Sequence, residues 1–281
     1  MDRPPRAEVE ETMQYNHPEK TLAGLPGGQE IGDEMLAPLF GTDVRTYREI
    51  KASFAERARR CAHELLQDPR LARCVDRLPF DTNSVVVGLG DSITDDYQSW
   101  FEILRHLLAE RRPEAGIELV NAGISGDTTS GLLGRLLDVL EGDPDWITIM
   151  IGTNDVAFVR EPPTKSLVSL RETGENLRAL RDLAIVLGGA RLVWMTPPPA
   201  IEDRIAEASS LAEPMWRNAD LAEVAKLVRE VAGEDPLVDT WEVFGDPAKP
   251  ELLFPDGLHP SLAGQKAIAA AYVEQLSTAP G

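Results

Sequence analysis

The stretch Ser84-Val-Val-Val-Gly-Leu-Gly-Asp-Ser-Ile-Thr94 begins with a run of apolar, mostly β-branched residues and ends in polar ones. Such a run is typical of a strand that is buried on both faces of a parallel sheet. The polar residues would follow the carboxyl end of that strand, which is where open α/β sheets bind their ligands. Ser92 is therefore the first candidate for a reactive group.

Four later segments share this apolar character and predict further strands: Ile117–Asn121, Trp146–Ile151, Arg191–Met195 and Leu237–Asp239. Segments with helical periodicity follow the strands in turn: Gln98–Glu110, Thr129–Leu140, Leu170–Leu187, Pro214–Ala232 and Ser261–Leu276. Alternation of strands and helices predicts an α/β fold, with a parallel sheet covered by helices on both faces.

The region before the first strand has a different pattern. Residues 1 to about 40 are rich in Pro, Gly and acidic residues and predict a surface arm or loop. Val44–Leu66 has apolar residues every three or four positions, which predicts a helix capped by Asp43, and a shorter helix is expected over Arg70–Leu78. We therefore divide the chain into an arm and helical extension (1–80) and a main domain (81–281). The extension either packs on the main domain or forms a lid, and packing is the simpler interpretation.

Composition limits the classes of partner. The chain has 281 residues, 43% of them hydrophobic, and a formal charge of −19. Such a charge repels nucleic acid and anionic lipid, so neither is an expected partner. No run of 18 apolar residues predicts a membrane helix, and Met1–Glu10 lacks the apolar core of a signal peptide, so we expect a cytoplasmic location.

The two cysteines, Cys61 and Cys74, lie in the helical extension. They predict reduced, partly buried thiols, with a disulfide as the alternative. No cluster of Cys, His or carboxylate residues has the spacing of a metal site, so no metal or cofactor is expected.

Ser92 can be a nucleophile or simply the cap of the following helix. Two familiar glycine motifs do not fit the sequence around it. A dinucleotide-binding loop needs glycine where Ile93 stands, and the nucleophile elbow of α/β-hydrolases needs glycine where Thr94 stands.

The loops after the second and third strands offer hydrogen-bond donors for an oxyanion. In Asn121-Ala-Gly-Ile-Ser-Gly-Asp-Thr-Thr129, the Gly126 N–H is a candidate donor, while Asp127 can cap the next helix. In Ile151-Gly-Thr-Asn-Asp155, the Asn154 amide is a second candidate, with an Asx turn as the alternative. Asp155 is expected to anchor neighbouring backbone.

A base and its orienting acid are found near the end of the sequence, in Phe254-Pro-Asp-Gly-Leu-His-Pro260. Asp256 and His259 are three residues apart, so the carboxylate can hold one imidazole nitrogen while the other faces the serine. The other histidines fit less well. His17 lies in the predicted arm, His63 lies in the extension, and His106 is about 20 Å along a helix from Ser92. Half of a metal site is the alternative for the pair.

Together the four segments resemble the SGNH hydrolases of the GDSL esterase and lipase family. The blocks are Gly90-Asp-Ser-Ile-Thr94, Asn121 to Thr129, Gly152-Thr-Asn-Asp155 and Asp256-Gly-Leu-His259, in the family's order. The resemblance covers Ser84 to the C-terminus. It implies a three-layer α/β/α sandwich with a five-stranded parallel sheet.

The same resemblance implies Ser92 as nucleophile, His259 as general base and Asp256 as its orienting acid. The oxyanion hole would consist of the Ser92 N–H, the Gly126 N–H and the Asn154 side chain. The chain departs from many relatives at Asp95-Asp96-Tyr97, where they carry glycine. The implied activity is hydrolysis of a small or lipid-like ester or an O-acetylated sugar through an acyl-enzyme. Acyl transfer, thioester hydrolysis and a non-catalytic binding domain are the alternatives.

Overall fold

A central parallel sheet organises the molecule in the computed structural model, which describes residues 4–23, 27–159, 165–208 and 214–278. The strands are β1 Val85–Gly90, β2 Glu118–Gly123, β3 Trp146–Met150, β4 Phe158–Val159, β5 Arg191–Met195, β6 Pro214–Met215 and β7 Leu237–Val238. Five of them form the sheet in the order β2-β1-β3-β5-β7, with all neighbours parallel. All five predicted strands are confirmed to within two residues at either end.

Helices flank the sheet on both faces. They are α1 Arg6–Tyr15, α2 Pro18–Leu22, α3 Asp33–Leu39, α4 Val44–Leu66, α5 Pro69–Asp76, α6 Ser92–Asp95, α7 Trp100–Arg111, α8 Thr129–Leu140, α9 Leu170–Leu183, α10 Glu202–Ala208, α11 Asn218–Ala232, α12 Thr240–Phe244 and α13 Leu262–Leu276. Short 3₁₀ turns occur at Gly28–Glu30, Pro113–Ala115, Asn154–Val156 and Pro250–Leu252, and α9 continues into a π turn at Ala184–Gly188. None of the helices in the described ranges is long and apolar enough to cross a bilayer.

Each face of the sheet has its own hydrophobic cluster, because successive strand residues point to opposite faces. Val86 of β1 packs in the cluster that contains α7 and α13, which includes the fully buried Trp100 and Tyr272. The next residue, Val87, packs in the cluster formed with α8, α9 and α11. The predicted α/β class, with helices on both faces of a five-stranded parallel sheet, is therefore confirmed.

The prediction of an arm or loop over residues 1 to about 40 was wrong for the part that is described, because α1, α2 and α3 lie there. Val9 and Met13 of α1 are buried against α4, in one cluster with Tyr47 and Phe54. Two apolar residues one turn apart are too few to give a helical period in the sequence. Packing in the cluster with α4 stabilises the short helices α1 and α3, as is usual for helices of marginal length.

The two helices predicted for the extension, α4 and α5, occur close to where the sequence predicts them. Asp43 caps α4 by accepting a hydrogen bond from the Thr46 backbone N–H at 2.9 Å. The buried face of α4 packs against α7 and α13, which supports packing on the main domain as the role of this helix. Cys61 and Cys74 are buried free thiols, so the disulfide alternative is wrong.

The helix predicted over Pro214–Ala232 begins only at Asn218. Pro214–Met215 instead form β6, which pairs antiparallel with β4. The Asn218 side chain exchanges two hydrogen bonds of 2.8 Å with the Ala200 backbone, which fixes the start of α11. At the other predicted helix starts the difference is smaller, and Ser99 and Ser261 cap α7 and α13.

Candidate active site

Ser92 is the first residue of α6, directly after β1. Asp91 caps this short helix by accepting the Ile93 N–H at 3.0 Å, so the idea that Ser92 is only a cap is wrong. The approach of β1 to β3 explains the preceding glycine, because a Cβ on Gly90 would lie 2.5 Å from the Met150 carbonyl oxygen. The strand end therefore presents the Ser92 hydroxyl from a tightly packed turn.

Ser92, His259 and Asp256 form a continuous chain of hydrogen bonds. The Ser92 Oγ lies 2.9 Å from His259 Nε2, and His259 Nδ1 lies 2.7 Å from Asp256 Oδ2. Asp256 Oδ1 also accepts the backbone N–H groups of Leu258 and His259, at 2.9 and 3.1 Å. An ionised carboxylate only accepts hydrogen bonds, so the proton is on Nδ1 and the Nε2 lone pair faces the hydroxyl. That is the arrangement in which a histidine can take a serine proton.

The Asp256 carboxyl is kept ionised by its partners. Burial raises the pKa of Asp256, but the hydrogen bond and charge of His259 and the two backbone N–H donors outweigh burial. The net result is a pKa below the ordinary value. Asp256 can therefore stabilise an imidazolium at His259 throughout the neutral range.

The predicted oxyanion donors follow neighbouring strands of the sheet. The N–H groups of Ser92 and Gly126 donate no hydrogen bond within the described ranges of the chain. Gly126 has a φ of +80°, and a Cβ there would meet nothing within 4 Å, so its backbone faces open space. The Asn154 Nδ2 donates to the Asp127 carbonyl at 2.9 Å, which orients the amide and leaves its second N–H available.

The residues next to two of these donors are Asp127 and Asp155, and both have structural roles. Asp155 accepts the Thr129 backbone N–H at 2.9 Å and two threonine hydroxyls, which confirms its predicted anchoring role. Asp127 does not cap α8, because Thr128 does so. It pairs instead with Arg135 at 2.8 Å.

Sequence reasoning missed a buried cluster of charged and polar side chains next to Ser92. Asp95 accepts both the backbone N–H and the hydroxyl of Ser125 at 2.8 Å, in the loop that carries Gly126. The same carboxylate pairs with His17 and Lys20 of the N-terminal region. Burial raises the pKa of Asp95, but these two partners outweigh it and lower the pKa below its ordinary value. His17, excluded as a catalytic base because of its place in the predicted arm, is thus a buried partner of Asp95.

Tyr15 is the second residue that the sequence did not reveal. It ends α1, and its ring lies over the His259 ring, with centroids 4.5 Å apart and an angle of 31° between the planes. Its hydroxyl accepts a hydrogen bond from Gln14 at 3.1 Å. No motif marks a tyrosine that is separated from its partner by most of the chain.

Asp96 lies in the same region and has a different charge state from Asp95. It is fully buried and accepts the Gln98 N–H at 2.8 Å and the Gln14 amide at 2.9 Å. Burial, with the nearby Asp95 charge, raises the pKa of Asp96 from 3.8 to about 7. Asp96 is therefore protonated below neutral pH. The cap of the nearby helix α7 is Ser99 and not Asp96.

This raised pKa predicts a pH-dependent stability effect for Asp96→Asn. The folded state keeps the Asp96 proton up to about pH 7, whereas the unfolded state releases it near pH 3.8. The contribution of this group to the free energy of unfolding of the wild type is therefore lost as the pH rises towards 7. Asparagine stays neutral. We expect the free energy of unfolding of Asp96→Asn, relative to wild type, to increase by about 3 kcal/mol between pH 5 and pH 8.

Urea denaturation at both pH values measures this difference. Asp203→Asn, at an exposed position of α10, is the matched control and should follow wild type at both. A constant offset between Asp96→Asn and wild type would mean that Asp96 is already ionised at pH 5.

Comparison with known proteins agrees with the fold and with the order of these segments. Residues 89–267 match the sequence model of the GDSL-like Lipase/Acylhydrolase family. The acetylxylan esterase of Geobacillus stearothermophilus is 34% identical over 180 residues, which is 60% of this chain and 77% of that protein. Thioesterase 1/protease 1/lysophospholipase L1 of Escherichia coli (strain K12) is 28% identical over 192 residues, covering 67% and 81% of the two chains.

Two solved structures have a similar fold. The crystal structure of Axe2, an acetylxylan esterase from Geobacillus stearothermophilus, superposes with a TM-score of 0.55 and 29% identity, over 70% of this chain and 95% of that one. LAE5, an alpha/beta hydrolase enzyme from the metagenome of Lake Arreo, Spain, gives a TM-score of 0.57 and 26% identity, over 73% of this chain and all of that one.

Fold and sequence together define an ester hydrolase of the SGNH type. The chain belongs to the GDSL-like lipase/acylhydrolase family. The resemblance and the class of enzyme predicted from the sequence are thereby confirmed. The family match begins at residue 89, so helices α1 to α5 lie outside it.

Proposed function

We propose that this protein hydrolyses carboxylic esters of short acyl groups through a covalent acyl-enzyme on Ser92. The observation that carries the proposal is the chain of two hydrogen bonds, 2.9 and 2.7 Å long, from Ser92 through His259 to Asp256. A serine becomes a nucleophile when a base accepts its proton and a third group orients that base. Only residues of this chain are needed, and no cofactor enters the reaction.

In the first half-reaction, His259 Nε2 takes the proton as the Ser92 Oγ attacks the ester carbonyl carbon. The oxyanion is held by the N–H groups of Ser92 and Gly126 and by the Asn154 amide. His259 then gives its proton to the alcohol oxygen as the bond between carbon and alcohol breaks. In the second half-reaction water attacks the acyl-enzyme, His259 takes the water proton, and the acid leaves as the proton returns to Ser92.

A short acyl group is supported by the limited space at the nucleophile. Ser92 and Asn154 are each only 9% exposed, and the turn around Ser92 is tightly packed. Additional methylenes on the acyl chain need a pocket, and each one that does not fit changes the relative rate by about tenfold or more. The name acetylxylan esterase, carried by the relative from Geobacillus stearothermophilus, supports the same choice.

A substrate series tests this proposal. We expect wild-type enzyme to hydrolyse 4-nitrophenyl acetate with a higher kcat/KM than the butyrate or octanoate ester, and to release acetate from acetylated xylo-oligosaccharides. A fluorophosphonate should label the protein at Ser92, detected by mass spectrometry of the peptide. A preference for octanoate would contradict the short acyl group. Absence of both labelling and turnover in folded protein would contradict the serine mechanism.

Thioester hydrolysis is a second candidate, since one relative carries the name Thioesterase 1/protease 1/lysophospholipase L1. The same series decides between the two if it includes acetyl-coenzyme A. A kcat/KM for the thioester above that for all oxygen esters would favour the second candidate. The cytoplasmic location and the absence of nucleic acid partners stay predictions from the sequence.

A further inference from the structure

Residues 4–23, which we call the N-terminal segment, lie against the site although they are outside the family match. Its contacts with the main domain include one from each of the helices α1 and α2. At the end of α1, the Tyr15 ring packs on the His259 ring. In α2, Lys20 pairs with the buried Asp95 and also donates to the Gly123 carbonyl at 3.0 Å. The segment therefore has a defined position next to the base.

A cavity of about 500 Å³ lies between α1 and the loop that carries Asp256. The α1 side is lined by Glu10, Glu11, Gln14 and Tyr15, and the loop side by Phe254 and Asp256. Tyr15 and Asp256 also contact His259, one through its ring and the other through the hydrogen bond to Nδ1. Two residues of the cavity wall are therefore also direct contacts of the base.

The reaction mechanism determines which part of the ester lies next to His259. His259 must give its proton to the alcohol oxygen, so the alcohol lies on the imidazole side of the reacting carbon. The carbonyl oxygen lies on the other side, towards Gly126 and Asn154. On the basis of the function proposed above, we propose that the cavity between α1 and Phe254–Asp256 is the subsite for the alcohol portion of the ester.

The charges of the lining residues select the kind of alcohol. Glu10 is paired with Arg57, and Asp256 is hydrogen-bonded to His259. Glu11 is exposed and forms no ion pair within the described residues, and no lysine or arginine among them lines the cavity. A site with unbalanced negative charge repels anions. The subsite therefore accepts uncharged or cationic alcohols and rejects anionic ones.

The uncharged parts of the cavity wall favour a substrate alcohol that contains a ring. Tyr15 and Phe254 present flat apolar faces, while Gln14 and the glutamates offer hydrogen-bonding groups beside them. This combination suits a sugar ring, which has apolar faces and a rim of hydroxyl groups, as well as a phenol. The substrate class is thus a short-chain ester of a ring alcohol that carries no negative charge.

Charge reversal at Glu11 tests the subsite with two acetates of nearly equal shape. 4-Acetoxybenzoate releases an anionic phenol and 4-acetoxybenzamide a neutral one. The ratio of their kcat/KM values, benzoate over benzamide, is compared between variants so that intrinsic reactivity cancels. We expect Glu11→Lys to raise this ratio by about fivefold and Glu11→Gln by about twofold, with both effects much reduced in 1 M NaCl.

Glu8→Lys is the matched control, because Glu8 is exposed on the same helix one turn earlier and does not line the cavity. It should change the ratio by less than about twofold, since its exposed charge acts on the bound group through water and not from the wall of the cavity. Equal ratios in Glu11→Lys and Glu8→Lys would overturn the subsite while leaving the serine mechanism intact. Wild-type enzyme that cleaves neither acetate would instead reject the proposed function and the subsite with it.

Discussion

Replacement of Ser92 by alanine should lower kcat by about 10⁴- to 10⁶-fold, because the covalent route through the acyl-enzyme is then closed. The remaining rate would come from the oxyanion donors and from substrate binding alone. Within the part of the chain that the structure describes, the Ser92 side chain makes one hydrogen bond, to His259. Its removal should therefore change the free energy of unfolding by only about 1 kcal/mol. Initial rates with 4-nitrophenyl acetate and a urea unfolding curve measure the two effects.

The matched control is Ser53→Ala in α4. Ser53 forms local hydrogen bonds with Ile50 and Arg57 and lies in the helical extension. It should keep wild-type turnover and wild-type labelling by a fluorophosphonate. The serine mechanism would be falsified if Ser92→Ala kept more than about a tenth of wild-type kcat in folded protein, because another group would then be the nucleophile.

Asp256→Asn should lower kcat by about 10⁴-fold with little change in fold, because it reverses the tautomer of His259. The asparagine oxygen can still accept the backbone N–H groups that Asp256 Oδ1 accepts now. Its NH₂ group would then face His259 Nδ1 and donate to it. The imidazole proton would move to Nε2, which could no longer take the proton of Ser92.

This variant separates orientation of the base from loss of the nucleophile. Ser92 is still present, so slow labelling by a fluorophosphonate should continue, in contrast to Ser92→Ala. Asp203→Asn, exposed on α10, provides the control for loss of a carboxylate and should retain full activity. Near wild-type kcat in Asp256→Asn would show that His259 is oriented without the carboxylate.

The sequence was sufficient to predict the sheet and the residues at its carboxyl edge. The apolar runs of β1 and β3 reflect their burial, because a strand that is buried on both faces of a parallel sheet is apolar along most of its length. Ser92 and Asn154 follow these strands within a few residues, and the Asp256–His259 pair comes after β7 and a connecting segment. Their meeting at one edge is a consequence of strand direction, so it could be inferred before any distance was known.

The contacts of the N-terminal segment could not be predicted in the same way. Tyr15 lies on His259, and His17 lies on Asp95, yet each pair is separated by dozens of residues or more. Periodicity describes neighbours along the chain and carries no information about such pairs. α1 also presents only Val9 and Met13 to the core formed with α4, so its amphipathic pattern is too short to recognise. The structure of α1 is therefore determined by tertiary packing and not by local helix propensity.

The Asp95 carboxylate connects the domain matched by the family model with a segment that lies outside the match. It holds Ser125 in the family domain and pairs with His17 and Lys20 in the segment that the family match leaves out. A buried charge that loses its partners is costly, so a descendant that lost the segment would be expected to replace this aspartate as well. Among homologues, the acidic residue at this position and the N-terminal helices should therefore be inherited together, and either one would serve as a marker for the other.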